Sequence, residues 1–216
     1  IWNPTLPLII HKNYGLPNVP DEILNNSLVI VSSYSGSTEE VLYAYEEAKK
    51  KNIPLAAISV GKDLLKNAIA DGIPYVKIPD TGIQPRQSLG FMTKATLALM
   101  KEKKALLDIS ELSDSLKPQN LEDSGKELAE KIQGYVPVIY SSKANEAIAY
   151  TWKIKFNETG KIPAFYNVFP ELNHNEMTGF DVKEKTKGLS EKFCFILLKD
   201  SKDHPRIQKR MQILKN

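Results

Sequence analysis

A short apolar run, Leu28-Val29-Ile30-Val31, passes into the hydroxyl-rich turn Ser33-Tyr34-Ser35-Gly36-Ser37-Thr38-Glu39 and from there directly into an amphipathic helix. Few folds accommodate that order of elements. The unbroken β-branched run suits an interior parallel strand covered on both faces. Beyond the turn, Val41, Leu42, Tyr45 and Ala48 recur at helical spacing, with Glu39, Glu40, Glu46, Glu47 and Lys49 to Lys51 at the remaining positions. A strand that feeds a helix through hydroxyls is anion-binding architecture. The unpaired N–H groups and positive dipole end of the helix meet the hydroxyls of Ser33, Ser35, Ser37 and Thr38 at one point. Ser37 is also a candidate helix cap, with Glu40 three residues on completing a capping box, and the two roles can coexist. Binding carries one condition: the carboxylates of Glu39 and Glu40 must turn away from the anion.

The rest of the chain repeats the strand–helix alternation. Strand-like segments at 6–10, 28–32, 55–60 and 75–78 alternate with helical ones near 38–51, 62–70 and 86–104, the βαβ rhythm of a parallel sheet flanked by helices. Residues 108–120 are rich in Ser and Asp, contain Pro118, and read as a linker. The rhythm then resumes: helix near 121–133, strand 137–140, helix near 143–159, strands 164–169 and 193–198, and a helix near 204–215. The expectation is an α/β protein of two halves, 1–107 and 121–216, each with a mainly parallel sheet. The chain opens on Ile1 and stops inside a helical pattern at Asn216, which reads as a piece of something longer.

Composition narrows the chemistry. At 216 residues, with 25% charged and 42% hydrophobic residues, the chain can bury a sizeable core. Its net charge of +3 is interleaved along the sequence, so no basic stripe for nucleic acid stands out. The Lys49-Lys50-Lys51 run suits a solvated helix C-terminus. The single cysteine, Cys194, lies in an apolar run and reads as core. With no long apolar span or signal peptide, the expected location is the cytoplasm. His11, His174 and His204 form no metal-ligand pair, and no Gly-rich dinucleotide fingerprint is present, so neither a metal nor an organic cofactor is expected. His204-Pro205 reads as a helix start.

Three further segments give the turn a context: Gln84-Pro85-Arg86, Phe156-Asn157-Glu158 and Pro170-Glu171-Leu172-Asn173-His174-Asn175. The strand–turn–helix unit resembles the signature of sugar isomerase (SIS) domains. The four segments in this order resemble the bifunctional phosphoglucose/phosphomannose isomerase family. That resemblance implies two tandem SIS domains, each an α-β-α sandwich. It also implies interconversion of glucose 6-phosphate and mannose 6-phosphate with fructose 6-phosphate, without a cofactor. By the same resemblance Ser33, Ser35 and Thr38 hold the substrate phosphate, Arg86 lines the site, Glu158 moves a proton between C1 and C2, and His174 assists ring opening. The histidine comes across a dimer interface in that family, so a homodimer is the implied catalytic unit. The family's first strand with its Gly-Gly-Ser loop, and its C-terminal helix with a threonine and a lysine, have no counterpart between Ile1 and Asn216.

The residue types suit that chemistry. Aldose–ketose interconversion needs one base that takes a proton from the carbon beside a carbonyl and returns it to the neighbouring carbon. Glu158 stands near the end of a predicted helix, just before Gly160. Imidazole exchanges protons near neutrality, as ring opening requires. The guanidinium fork of Arg86 suits a phosphate or an enediolate, and equally an ion pair with an acid such as Asp80. Two other readings remain at this point: a non-catalytic sugar-phosphate-binding regulatory module, and an SIS isomerase of another phosphosugar.

Overall fold

In the computed structural model, residues 7–181 and 183–215 are described. The chain divides into two compact units, Ile1–Lys117 and Pro118–Asn216. The first contains helices α1 (Asp21–Asn25), α2 (Glu39–Lys50), α3 (Lys62–Ala70), α4 (Leu89–Leu99) and α5 (Lys103–Ser115). Its strands are β1 (Val29–Ser32), β2 (Leu55–Ser59) and β3 (Tyr75–Lys77). The second contains α6 (Gln119–Ile132), α7 (Glu146–Lys155), α8 (Lys187–Ser190) and α9 (Pro205–Lys215), with strands β4 (Val136–Ser142), β5 (Phe165–Phe169) and β6 (Phe193–Leu198).

Each unit is built on a three-stranded parallel sheet, β1-β2-β3 in one and β5-β4-β6 in the other. Burial on both faces explains the apolar strands. Every residue of β2 is buried, and its side chains alternate between two cores. Leu55 and Ala57 join Val31, Tyr45, Ala48, Leu64 and Ala68 beneath α2 and α3. Ile58 joins Ile78 and Ala95 beneath α4. The second unit repeats the design around β4. Val138 and Tyr140 pack with Phe169, Leu172 and Met211 of α9, while Ile139 packs with Ala149 and Ala164 on the α7 side. Both units are therefore helix–sheet–helix sandwiches.

The structure departs from the sequence reading in several places. Of the strand expected at 6–10, Leu6 lies outside the described residues, and residues 7–10 are exposed without regular structure. They line a groove with Leu28–Val31 but do not pair with it; Pro7 has no N–H to give a ladder. The single helix expected over 86–104 is a 3-10 turn, Pro85–Gln87, followed by α4 and α5, which break at Lys101 in the left-handed region with φ 59. Of the linker expected at 108–120, only Leu116, Lys117 and Pro118 lie outside the helices, between α5 and α6. Ile109, Leu112 and Leu116 recur there at helical spacing within a polar composition, which hides them from a composition-based reading. The lysine run is not wholly solvated: Lys49 is 2.7 Å from Asp71, which also accepts the hydroxyl of buried Tyr45 at 2.8 Å. His204 does begin a helix, its Nδ1 accepting the N–H of Arg206 at 3.1 Å.

Candidate active site

The turn between β1 and α2 gathers four hydroxyls within six residues. Ser33 is buried, and its Oγ accepts the Gly36 N–H at 3.0 Å and lies 2.7 Å from Thr38 Oγ1. Ser35 Oγ accepts the Ser37 N–H at 3.3 Å and stands 3.3 Å from Ser37 Oγ. Ser33 thus shapes the turn from inside, whereas Ser35, Ser37 and Thr38 line its accessible side. Capping by Ser37 is not what the structure has. Thr38 is the residue before the helix and makes no side-chain capping bond, because its hydroxyl turns back to Ser33. The first N–H groups of a helix have no partner within it, so this end of α2 keeps donor capacity for an anion.

Glu39, at the start of α2, lies near enough to Tyr14 for its carboxylate to raise the pKa of that hydroxyl. The Tyr14 ring itself packs edge-on against Tyr43 of α2, at 6.1 Å.

The turn is bolted to the loop after β2. Val60 N–H donates to Tyr34 O at 3.0 Å and Leu64 N–H to Gly36 O at 2.9 Å. Gly36 adopts φ +80, and a Cβ there would fall 1.9 Å from Gly61 O. This contact delivers Lys62, the first residue of α3, to within 3.5 Å of Ser37 Oγ. Sequence reading missed Lys62; its place after the second strand of a parallel sheet was the available signal. Arg86 is half-buried on the 3-10 turn after β3, which is held by reciprocal bonds between Gln84 and Gln87 and by Ser88 Oγ donating to Pro85 O at 2.6 Å. The turn at 33–38, Lys62 and Arg86 all follow the carboxyl ends of parallel strands, the edge where such sheets bind ligands.

Glu158 and His174 belong to the second unit, and topology separates them. The helix expected to run to 159 changes at Phe156 into a wider π-helical turn, Phe156–Gly160, closed by Lys161 in the left-handed conformation. Asn157 Nδ2 braces it by donating to Ile162 O at 3.0 Å. Glu158 is exposed on this turn, which leads into the amino end of β5. His174 is exposed on the loop beyond the carboxyl end of the same strand. The five residues of β5, at about 3.3 Å each, put roughly 16 Å of sheet between the two edges. Within one chain the two groups therefore lie at opposite edges of the sheet. Of the other candidates, Cys194 is half-buried on β6 and His11 is exposed. Among the described residues no cluster of His, Cys, Asp and Glu could hold a metal ion, and no helix is long and apolar enough to cross a membrane.

Comparison with known proteins gives these features a family. Residues 121–216 match the family described as bacterial phospho-glucose isomerase C-terminal SIS domain. The chain is 41% identical over 212 residues to a bifunctional phosphoglucose/phosphomannose isomerase of Aquifex aeolicus, covering 97% of this chain and 63% of that protein. It is 37% identical to the protein of the same name from Caldicellulosiruptor bescii, covering 98% and 64%. Among solved structures, glucosamine-6-phosphate deaminase from Thermotoga maritima superposes with a TM-score of 0.67 at 16% identity, covering 93% of this chain and 60% of that one. This last likeness is one of fold, and it agrees with two SIS-type α-β-α units. The chain thus spans a little under two thirds of the length of these relatives. Matched along almost all of its own length, the chain is similar to bifunctional phosphoglucose/phosphomannose isomerases, and its residues 121–216 carry the match to the C-terminal SIS domain.

Proposed function

We propose that the protein interconverts glucose 6-phosphate and mannose 6-phosphate with fructose 6-phosphate through an enediol. The observation that carries this reading is the turn at 33–38, where the hydroxyls of Ser35, Ser37 and Thr38 gather at the start of α2. In this reading Ser35, Ser37 and Thr38 bind the substrate phosphate, with Ser33 holding their geometry. Arg86 stabilises the negative oxygen of the enediolate. His174 passes a proton between the ring oxygen and the C1 hydroxyl as the sugar opens. Glu158 then takes the proton from C2 of the open-chain aldose and returns it to C1, and the reverse direction uses the same group. The enediol has no stereocentre at C2, so glucose and mannose configurations both arise from it. No step needs a metal or an organic cofactor.

The catalytic unit in this reading is a homodimer with its active site at the interface. The support is the placement of Glu158 and His174 at opposite edges of one sheet, since a second copy can supply the histidine that the first cannot bring near its own glutamate. In this reading the protein works in the cytoplasm, in glycolysis and gluconeogenesis, and has a phosphosugar, not a nucleic acid or a membrane, as its partner.

The test is Glu158→Gln in the intact protein, with fructose 6-phosphate in deuterated water. Deuterium incorporation at C2 of the aldose product should cease while phosphosugar binding persists, because the side chain keeps its shape and loses only its basicity. Undiminished exchange would overturn the assignment of the base. Loss of binding in place of exchange would make Glu158 a structural residue.

A further inference from the structure

The loop that carries His174 is tied down at almost every other position. Leu172 is fully buried. Asn173 accepts from Arg210 Nη1 of α9 at 3.1 Å and donates to the Met177 sulfur. Asn175 donates to Glu171 at 3.0 Å. The strongest tie comes from Glu176, two residues beyond the histidine. One of its carboxylate oxygens accepts the hydroxyl of Tyr140 on β4 at 2.7 Å, and the other accepts the Asn167 side-chain amide on β5 at 2.6 Å. Both partners are fixed. Tyr140 is fully buried, its ring packed on Phe169 and Phe195. Burial and the Glu176 carboxylate push its hydroxyl pKa far up, so it stays a donor. Asn167 Oδ1 accepts the Val168 N–H at 2.8 Å, which sets the direction of its amide.

A carboxylate engaged on both oxygens, by buried Tyr140 and half-buried Asn167, does more than a surface turn requires, because charge-assisted bonds of this kind are short and directional. His174 is exposed on this loop, with a side chain that can exchange protons near neutrality. We propose that Glu176 is a positioning residue: through Tyr140 and Asn167 it locks the 171–177 loop to β4 and β5, and thereby fixes where His174 presents its imidazole. The functional half of this inference rests on the proposed ring-opening role of His174.

Three variants of the intact protein test it: Glu176→Gln, Tyr140→Phe and, as reference, His174→Ala. Gln keeps the volume but turns an NH2 donor toward one of the two donors, so the lock is half undone. Glu176→Gln should speed amide hydrogen exchange across 171–177 while β4 amides keep wild-type rates. It should also lower kcat on cyclic phosphosugars on the order of 10²-fold with KM little changed, since a displacement of about 1 Å suffices for such a loss. Combining it with Tyr140→Phe should add little further, as expected when two changes break one contact. If Glu176→Gln cannot be purified folded, Tyr140→Phe, which keeps the Asn167 bond, carries the same readouts.

Wild-type exchange across 171–177 in these variants overturns the proposal, as does wild-type kcat where His174→Ala is impaired. If His174→Ala itself turns over normally, the ring-opening role is what fails. The exchange data then decide alone whether Glu176 holds the loop.

Discussion

Gly36→Ala isolates the contact that shapes the anion-binding turn. Two costs are separable. The first is conformational: at φ +80 a Cβ crowds the following carbonyl, which costs roughly 1–2 kcal/mol. The second is steric. The new Cβ would sit 1.9 Å from Gly61 O and 2.5 Å from Ser59 Oγ, so the turn must retreat by about 1.5 Å to reach the 3.4 Å of ordinary contact. That retreat stretches the bonds from Val60 N–H to Tyr34 O and from Leu64 N–H to Gly36 O, and overpacking of this kind costs about 1–3 kcal/mol. The expected total is about 2–5 kcal/mol. Gly82→Ala is the internal reference: its φ is +72 and nothing lies within 4 Å, so it carries the first cost alone. Urea unfolding, followed by hydrogen exchange of β1 and β2 amides, should shift far more for Gly36→Ala, with unchanged dependence on denaturant. Inorganic phosphate should also bind Gly36→Ala more weakly, and Gly82→Ala as wild type. Equal destabilisation by the two variants would refute the close packing of the turn on the β2–α3 loop.

Ser33→Ala removes a buried acceptor and leaves the Gly36 N–H without its partner, so a loss of about 1–3 kcal/mol is expected in urea melts, together with weaker phosphate binding. The Asp71 site supplies a pH test. Hydrogen bonds from Lys49 and then Tyr45 hold the Asp71 carboxyl below its ordinary value of 3.8. A depressed carboxyl stabilises the fold above the unfolded pKa and loses that stabilisation as pH falls through the folded pKa. The stability difference between wild type and Asp71→Asn should therefore be constant at neutral pH and shrink below about pH 4. A difference that grows on acidification would contradict this sign.

The fold was legible wherever one physical requirement dominated a segment. The strand Val29–Ser32 could be read from its apolar run, although among the described strands it pairs only with β2 and so stands at the edge of its sheet, not in the interior expected; α2 could be read because its buried residues keep helical spacing. Reading failed where composition and periodicity disagreed. At 108–116 the Ser and Asp residues outweighed a sparse Ile109, Leu112, Leu116 stripe, and the helix was missed. Residues 7–10 failed for the opposite reason: apolar character fitted a strand, but strands exist by pairing, and sequence does not reveal which edges find partners.

The site divides along the same line. The hydroxyls at 33–38 are contiguous, so their convergence followed from the chain itself. Lys62 reaches them only because β2 lies beside β1 and Gly36 packs on Gly61, a long-range fact invisible to local pattern. Glu158 and His174 show the limit most sharply. Sixteen positions apart with a strand expected between them, they have no separation that local pattern fixes; the folded strand carries the chain from one edge of its sheet to the other. Glu176 escaped notice for the complementary reason. Its partners Tyr140 and Asn167 lie 36 and 9 positions away on two parallel strands, so the carboxylate that the sequence offers as one more polar loop residue becomes the point where β4, β5 and the histidine loop are joined.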